Sequence, residues 1–173
     1  MQPLWLFGYG SLIWRPDFEY ISRKVAYVDG WMRRFWQGSH DHRGTPQAPG
    51  RVVTLIPQAG ERCGGMAYQI EASKVDEIIN SLDYREKNGY DRCPSALFFN
   101  DGSESVDGLF YVANKNNGAF LGEAPIAELV EQIRISHGPS GSNADYLLKL
   151  ADALRLHEIE DSHVFELEHH LRG

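Results

Sequence analysis

Two glycines and a serine interrupt the apolar run LWLFGYGSLIW, residues 4–14, which otherwise has the composition of a buried strand. Glycine accepts positive φ and lets another group approach the main chain, so Gly8 and Gly10 allow successive backbone N–H groups to face one concavity. Such a nest binds an anion or an oxyanion. A bulge or tight turn without a ligand is the alternative. The missing third glycine and P-loop lysine exclude a dinucleotide-binding loop and a P-loop.

A carboxylate between two tyrosines is the second candidate for chemistry. Glu86 lies in LDYREKNGYDR, residues 82–92, and is bracketed by Tyr84 and Tyr90. Aromatic surroundings can raise the pKa of a carboxyl group until it serves as a base near neutral pH. A mixed-charge run at a helix end is also typical of a solvated surface, and this alternative stays open.

Histidines offer a third possibility, a metal site. His40 and His42 in SHDHR could share one face of a strand, but no third ligand with recognisable spacing accompanies them. A polar loop is therefore favoured, and we expect no metal. The His169–His170 pair near the C-terminus gives even weaker support for a metal site.

The composition excludes several classes of function. A formal net charge of −7 and a pI near 5.4 argue against nucleic acid as a ligand, because phosphate binding relies on clustered Lys and Arg. The apolar runs are shorter than the roughly 20 residues of a membrane span, and no signal-peptide pattern opens the chain. Cys63 and Cys93 fit free thiols in a reducing compartment. We expect a cytoplasmic protein with a single domain, 1–173.

The elements that must position these residues form a strand-rich first half and a helix-rich second half. Runs of β-branched and aromatic residues predict strands at 4–9, 24–30, 32–37, 51–56, 65–70, 96–100 and 105–113. Asp101-Gly102 predicts a hairpin turn between the last two. Apolar residues at helical spacing predict helices at 73–84, 125–136, 143–156 and 162–171. Ser73 with Asp76 and Ser142 with Asp145 resemble capping boxes, and residues 136–143 are predicted to be a loop.

Four blocks of the sequence together resemble the ChaC family of glutathione-specific γ-glutamylcyclotransferases. They are FGYGSLIWRPDF (7–18), RRFWQGSHDHRGTPQAPGRVVTL (33–55), LDYREKNGYDR (82–92) and SHGPSGSNADYLLKLADALR (136–155). The blocks follow one another in order along nearly the whole chain. The resemblance implies an α+β fold, a small, partly closed mixed β-barrel with packed helices and a helix-rich C-terminal half.

The resemblance also implies roles for individual residues. The family's Tyr-Gly-Ser-Leu loop is the substrate-binding nest, and the glutamate of its REx-x-GY block, here Glu86, is the catalytic carboxylate. The substrate-binding residues expected here are Leu6, Phe7, Gly8, Tyr9, Gly10, Ser11, Leu12, Arg51 and Tyr146.

The implied reaction follows from the chemistry of a γ-glutamyl peptide. Its free α-amino group attacks the γ-carbonyl carbon, closes the lactam 5-oxoproline and expels the amine of the next residue. The nucleophile is already tethered, so the protein must fold the glutamyl unit, remove one proton and donate one to the leaving amine. Glu86 is expected to carry out both proton transfers. Glutathione is the expected substrate, and no cofactor is needed.

Two alternatives stay open. A related enzyme would use other γ-glutamyl amino acids or amines and would differ in the leaving group it accepts. A regulatory module linked to cation transport would bind without turning over substrate. In neither case do we expect a nucleic-acid, membrane or obligate protein partner.

The loop before the fourth predicted strand is the expected specificity element. Its sequence HDHRGTPQAPGRVV, residues 40–53, is polar and basic and is stiffened by Pro46 and Pro49, so it could hold Arg43 or Arg51 in a fixed place. A solvated surface loop is the alternative. We expect Arg51, which directly precedes a strand, to pair with the glycine carboxylate of glutathione.

Overall fold

A computed structural model describes residues 3–85, 90–113 and 116–173. This part of the chain contains a five-stranded barrel, a two-stranded hairpin and four α-helices. The strands are β1 Leu4–Gly8, β2 Ser22–Ser39, β3 Gly50–Ile70, β4 Tyr90–Phe99, β5 Val106–Ala113, β6 His137–Gly138 and β7 Gly141–Ser142. The helices are α1 Val75–Arg85, α2 Ile126–Ile135, α3 Asn143–Leu156 and α4 Ser162–Arg172.

The barrel has the strand order β1-β3-β2-β4-β5 and is closed. Its neighbouring strands pair antiparallel except at the closure, where β1 runs parallel to β5 through Trp5 opposite Gly108 and Leu6 opposite Leu109. The predicted mixed barrel with a helix-rich second half is thereby confirmed. Closure leaves none of the five strands with a fully exposed edge.

Two long strands replace four predicted short ones. β2 and β3 pair from Ser22 opposite Gln69 to Ser39 opposite Gly50. The pairing shifts register between Asp29 and Trp31, next to Gly30, whose φ of +84° suits glycine. We predicted a break at this glycine and a loop over the exposed residues around Gly60, but pairing with the partner strand keeps both segments in the sheet.

The core has an inner and an outer part. Residues from all five strands fill the barrel: Phe7, Ala26, Val28, Leu55, Cys63, Ala67, Leu97, Phe110 and Val112. Helices α2, α3 and α4 bury their apolar faces against the outer side of the sheet, around Phe35, Met66 and Tyr68. Tyr9 packs against both clusters, so the glycine-containing loop lies where the barrel meets the helices.

The predicted turns and caps have mixed outcomes. Asp101-Gly102 does form the hairpin turn, with Gly102 at φ +82° and Asp101 Oδ1 accepting from Ser103 N at 2.9 Å. Ser142 caps α3, because its Oγ accepts from Asp145 N at 3.0 Å. The predicted cap at Ser73 is wrong, since this residue lies inside a 3-10 turn, Ala72–Lys74.

The predicted loop over 136–143 is partly wrong as well, because it contains the β6–β7 hairpin. Gly141, at φ +122°, supplies the backbone conformation that this tight connection requires. The hairpin leads directly into α3, so it sets the position of that helix relative to the barrel.

Candidate active site

The loop of residues 8–12 is predicted to bind the substrate and is called the substrate loop. It begins where β1 ends and leads into a 3-10 turn, Ser11–Ile13. A Cβ on Gly8 would stand 2.6 Å from Leu12 Cβ, far inside van der Waals contact. Glycine at this position therefore lets Leu12 fold back onto the end of the strand. Tyr68 on β3 stabilises this reversal of the chain, because its hydroxyl donates a hydrogen bond to Leu12 O at 2.5 Å.

Gly10 lies against both β3 and α3. A Cβ at this residue would stand 3.0 Å from Val53 Cγ2 and 3.1 Å from Tyr146 Oη. Val53 N also donates to Tyr146 Oη, at 3.4 Å. The structure thus brings together two predicted site residues, Gly10 and Tyr146, that are far apart in sequence.

The loop presents backbone donors. Ile13 N donates to Gly10 O at 2.9 Å and Trp14 N donates to Ser11 O at 3.1 Å, which closes the 3-10 turn. The N–H groups of Gly10, Ser11 and Leu12 donate no hydrogen bond to any residue in the described ranges. Consecutive unpaired N–H groups at the start of a helical turn suit an anionic ligand.

Tyr9 is held by contacts at both of its ends. Its hydroxyl donates to Tyr111 O at 2.6 Å, and its ring makes an edge contact with Phe110 at 6.3 Å between centroids. Its own carbonyl accepts from Arg33 Nε at 2.9 Å. Both the side chain and the peptide group that precedes Gly10 are therefore fixed.

Leu6 and Phe7 point into hydrophobic cores. Leu6 packs with α1 residues on one side of β1, and Phe7 packs inside the barrel on the other. Both side chains are fully buried. Because both side chains are in the core, only the main-chain groups of these residues could contact the substrate, and that contact stays a prediction.

Tyr146 is the predicted site residue contributed by α3. It is buried, and its ring makes edge contacts with Trp14 and Phe35 at 5.6 and 5.8 Å between centroids. The guanidinium of Arg43 lies 5.7 Å from the ring centroid. Aromatic and cationic neighbours thus fix the hydroxyl beside Gly10.

Arg43 is buried rather than solvated. Its Nη1 donates to Ser142 O at 3.0 Å and to Asp145 Oδ2 at 3.2 Å. Hydrogen bonds from Lys149 and then from Arg43 hold the pKa of Asp145 below its ordinary value. The alternative of a solvated surface loop is therefore wrong for this arginine, which binds the start of α3.

Arg51 is buried as well, in a different environment. Its Nε donates to Gln132 Oε1 at 2.7 Å, and its Nη1 donates to Gly122 O at 2.8 Å and Phe35 O at 3.2 Å. Burial lowers the pKa of Arg51 from its ordinary value. These contacts join β3 to α2 and β2, whereas the predicted contact with a substrate carboxylate stays a prediction.

Glu86, the predicted catalytic carboxylate, lies outside the described residues. The helix that leads to it is connected to the substrate loop by side chains. Tyr9 Oη donates to Tyr111 O, and Tyr111 Oη donates to Asp83 Oδ1 at 2.6 Å. Asp83 is on α1, three positions before Glu86. The loop and the end of α1 are therefore fixed relative to each other.

Comparisons with known proteins identify the family of this chain. The model of the ChaC-like protein family matches residues 4–173. The chain belongs to the ChaC family. It is 41% identical over 171 residues to glutathione-specific γ-glutamylcyclotransferase 1 of Danio rerio, covering 95% of this chain and 87% of the relative. The Homo sapiens protein of the same name is 42% identical over 168 residues, covering 94% and 76%.

A solved structure of a yeast protein has the same fold. The selenomethionine-labelled yeast γ-glutamyl cyclotransferase specific to glutathione superposes with a TM-score of 0.91 at 31% identity. The match covers 99% of this chain and 96% of the yeast chain. The barrel and its helices are thus those of a γ-glutamylcyclotransferase-like fold.

Sequence reasoning missed three residues of this candidate site. Tyr111 and Asp83 connect the loop to α1, and Arg33 binds the carbonyl of Tyr9. Arg33 lies in a block that resembles the family, but the pairing partners of a strand arginine cannot be read from spacing. The sequence gives no indication of a functional role for Tyr111 on β5 either, because aromatic residues are common in strands.

The remaining expectations concern thiols, metals and membranes. Cys63 and Cys93 are free, and burial raises the pKa of the Cys63 thiol to about 11, so this thiol is protonated. Within residues 3–85, 90–113 and 116–173, no group of three or more His, Cys, Asp and Glu side chains is placed to hold a metal ion. No helix in the same ranges has the length and apolarity needed to cross a membrane.

Proposed function

We propose that this chain is a glutathione-specific γ-glutamylcyclotransferase, an enzyme that cleaves glutathione to 5-oxoproline and Cys-Gly. The observation that carries the proposal is the substrate loop of a ChaC family member, with the N–H groups of Gly10, Ser11 and Leu12 unpaired within the described ranges. The curated relatives named above, which align with nearly the whole chain, are named for this activity. The free thiols of Cys63 and Cys93 support a cytoplasmic location.

The loop would bind the glutamyl half of the substrate. Its N–H groups can donate to the α-carboxylate or to the oxyanion that forms when the γ-carbonyl carbon becomes tetrahedral. Losing one oxyanion donor typically costs about 3 to 4 kcal/mol of transition-state stabilisation. Gly10 would contribute the first N–H group, and its lack of a side chain lets Val53 and Tyr146 lie close to the loop.

Glu86 would transfer the proton. As a base it takes a proton from the α-ammonium, whose nitrogen lone pair then attacks the γ-carbonyl carbon. As an acid it returns that proton to the nitrogen of the cysteinyl residue when the C–N bond breaks. The cyclising nitrogen loses a second proton on becoming the lactam N–H, and this proton converts the released Cys-Gly amine to its ammonium form. The products are the five-membered lactam and Cys-Gly, with no net gain or loss of protons or electrons. The connection from Tyr9 through Tyr111 to Asp83 supports this placement, because it anchors the helix before Glu86.

The test is incubation of the purified protein with glutathione and measurement of 5-oxoproline and Cys-Gly. We expect stoichiometric release of both products, and much slower turnover of γ-glutamyl-alanine. Equal use of the two substrates would favour a broader cyclotransferase. Binding of glutathione without either product would favour the regulatory module.

A further inference from the structure

A buried arginine lies directly behind the substrate loop. Arg33 on β2 is 1% exposed, and its guanidinium group makes three hydrogen bonds. Nε donates to Tyr9 O at 2.9 Å, Nη1 donates to Asp161 Oδ2 at 2.6 Å, and Nη2 donates to Gly64 O. Taking a guanidinium out of water is unfavourable unless its donors are paired, and here each nitrogen has an acceptor.

The bond to Tyr9 determines the orientation of one peptide group. The carbonyl of Tyr9 and the N–H of Gly10 belong to the same planar trans unit, so they point in opposite directions. Because Arg33 binds the carbonyl, the Gly10 N–H is directed away from Arg33. Gly10 has no side chain to restrict rotation of this unit, so an external contact is needed to hold it.

Asp161 holds the other end of the guanidinium. Its Oδ2 accepts from Arg33, while its Oδ1 accepts from Val164 N at 3.0 Å and caps α4. The Asp161 side chain is only 11% exposed. One cation therefore connects the substrate loop, β3 at Gly64 and the start of the C-terminal helix.

We propose that Arg33 is a positioning residue for the γ-glutamyl half of the substrate, and that it acts by holding the Tyr9–Gly10 peptide. Asp161 fixes the guanidinium in the orientation that this contact requires. The inference rests on the proposed function for its catalytic consequence, although the orientation of the peptide can be measured without turnover. Arg33 is buried behind the loop and binds the carbonyl of Tyr9, so it would act through the loop and not by contact with the reacting atoms.

The chain contains a matched control pair. Arg155 on α3 binds Glu168 on α4, with Nη2 at 2.5 Å from Oε1 and Nη1 at 2.9 Å from Oε2. Glu168 is 4% exposed, so this pair also joins an arginine to a buried carboxylate of the C-terminal helix. Its contacts lie between helices and do not include the substrate loop.

The first experiment compares Arg33→Lys and Asp161→Asn with Arg155→Lys and Glu168→Gln. Asparagine caps helices as well as aspartate does, so Asp161→Asn keeps the α4 cap and changes chiefly the arginine contact. We expect kcat/KM for glutathione, per folded molecule, to fall at least tenfold for Arg33→Lys and at least threefold for Asp161→Asn. The control variants should stay within twofold at a similar loss of Tm.

The double variant Arg33→Lys/Asp161→Asn separates positioning from general stability. If both residues act through one peptide, the double variant loses no more kcat/KM than Arg33→Lys alone. Wild-type kcat/KM in a folded Arg33→Lys variant would overturn the inference. So would equal losses in the control pair or multiplicative losses in the double variant.

A second measurement works even if glutathione is not the substrate. The amide resonance of Gly10 should shift in Asp161→Asn but not in Glu168→Gln. An unchanged Gly10 amide in Asp161→Asn and Arg33→Lys would overturn the inference. Failure of the wild type to release 5-oxoproline would reject the proposed function, but the change in the Gly10 amide would still show that Arg33 orients this peptide.

Discussion

The side-chain amide of Asn143 pairs with both main-chain polar groups of Arg51. Its Oδ1 accepts from Arg51 N at 2.7 Å, and its Nδ2 donates to Arg51 O at 2.8 Å. Asn143 is the first residue of α3 and is completely buried. The helix therefore joins the edge of β3 through the pattern of contacts that a neighbouring strand would make. Tyr146, one turn later, is placed beside Gly10 as a result.

Replacement of Asn143 by Ala should destabilise the fold. It leaves a buried N–H and a buried C=O of Arg51 without partners, and each unsatisfied group costs about 1 to 3 kcal/mol. We expect the free energy of unfolding in urea to fall by about 2 to 4 kcal/mol. Asn80→Ala on the exposed side of α1 is the control and should stay within about 0.5 kcal/mol. An equal stability of the two variants would contradict the role of the amide.

Glu86→Gln should abolish turnover and leave the fold unchanged. The amide has the shape of the carboxylate but cannot accept the proton from the substrate ammonium. Removal of a general acid–base group lowers the rate by roughly 10² to 10⁴, so we expect kcat to fall at least a hundredfold with an unchanged Tm. Glu77→Gln, an exposed change on α1, is the control. Activity above about a hundredth of the wild-type value would remove Glu86 from the mechanism.

Gly10→Val should impair substrate use more than Gly10→Ala. Even the alanine Cβ would stand 3.0 Å from Val53 Cγ2 and 3.1 Å from Tyr146 Oη, so the loop or these two side chains must shift. We expect kcat/KM to fall about tenfold for alanine and about a hundredfold for valine, and the loss for valine is at the low end of the range for a lost oxyanion donor. Gly118→Ala is the control, because a Cβ there meets nothing within 4 Å. Unchanged kcat/KM in a folded Gly10→Val variant would mean that the loop is only a turn.

Arg51→Ala tests the predicted recognition of the Cys-Gly half. We expect the ratio of kcat/KM for glutathione to that for γ-glutamyl-alanine to fall, because the second substrate lacks the glycine carboxylate. Gln132→Leu is the control, since it removes the acceptor of Arg51 Nε and keeps the guanidinium. Both variants should be less stable than the wild type, but only Arg51→Ala should lose the preference for glutathione over γ-glutamyl-alanine. A preserved ratio in Arg51→Ala would show that Arg51 is purely structural.

Stability should decrease at mildly acidic pH because of His163. This side chain accepts a hydrogen bond from Phe35 N at 3.1 Å, and burial followed by the positive charge of Arg34 lowers its pKa to about 4. The unfolded chain, with a histidine pKa near 6.5, binds a proton between pH 6.5 and 4 that the folded chain does not. The contribution is therefore complete above pH 6.5 and is lost as the pH falls to about 4.

The expected loss is on the order of 3 kcal/mol, measured as the free energy of unfolding in urea across this range. His163→Gln should flatten the dependence, whereas His170→Gln, at an exposed position, should leave it unchanged. A wild-type protein whose stability does not vary between pH 7 and 4.5 would contradict the assignment.

Local patterns in the sequence were sufficient for several elements. The periodicity and the serine cap predicted α3 with the bounds that the structure has, Asn143–Leu156. Asp101-Gly102 predicted its hairpin turn, because only certain residues adopt the required backbone conformation. The glycines of residues 8–10 predicted a break in the strand, and Gly8 lets Leu12, four positions later, fold back onto the strand end. In each case the cause lies within a few residues of the effect.

Tertiary structure decided the features that depend on distant partners. Residues around Gly60 have the composition of a loop, yet pairing with β2 keeps them in a strand. Arg43 and Arg51 have the composition of solvated loop residues, yet helices that begin more than 70 positions later supply acceptors and bury them. Arg33 meets Asp161 across 128 positions. A guanidinium is stable in water or in a fully paired buried site, and only the assembled fold determines which of the two it occupies.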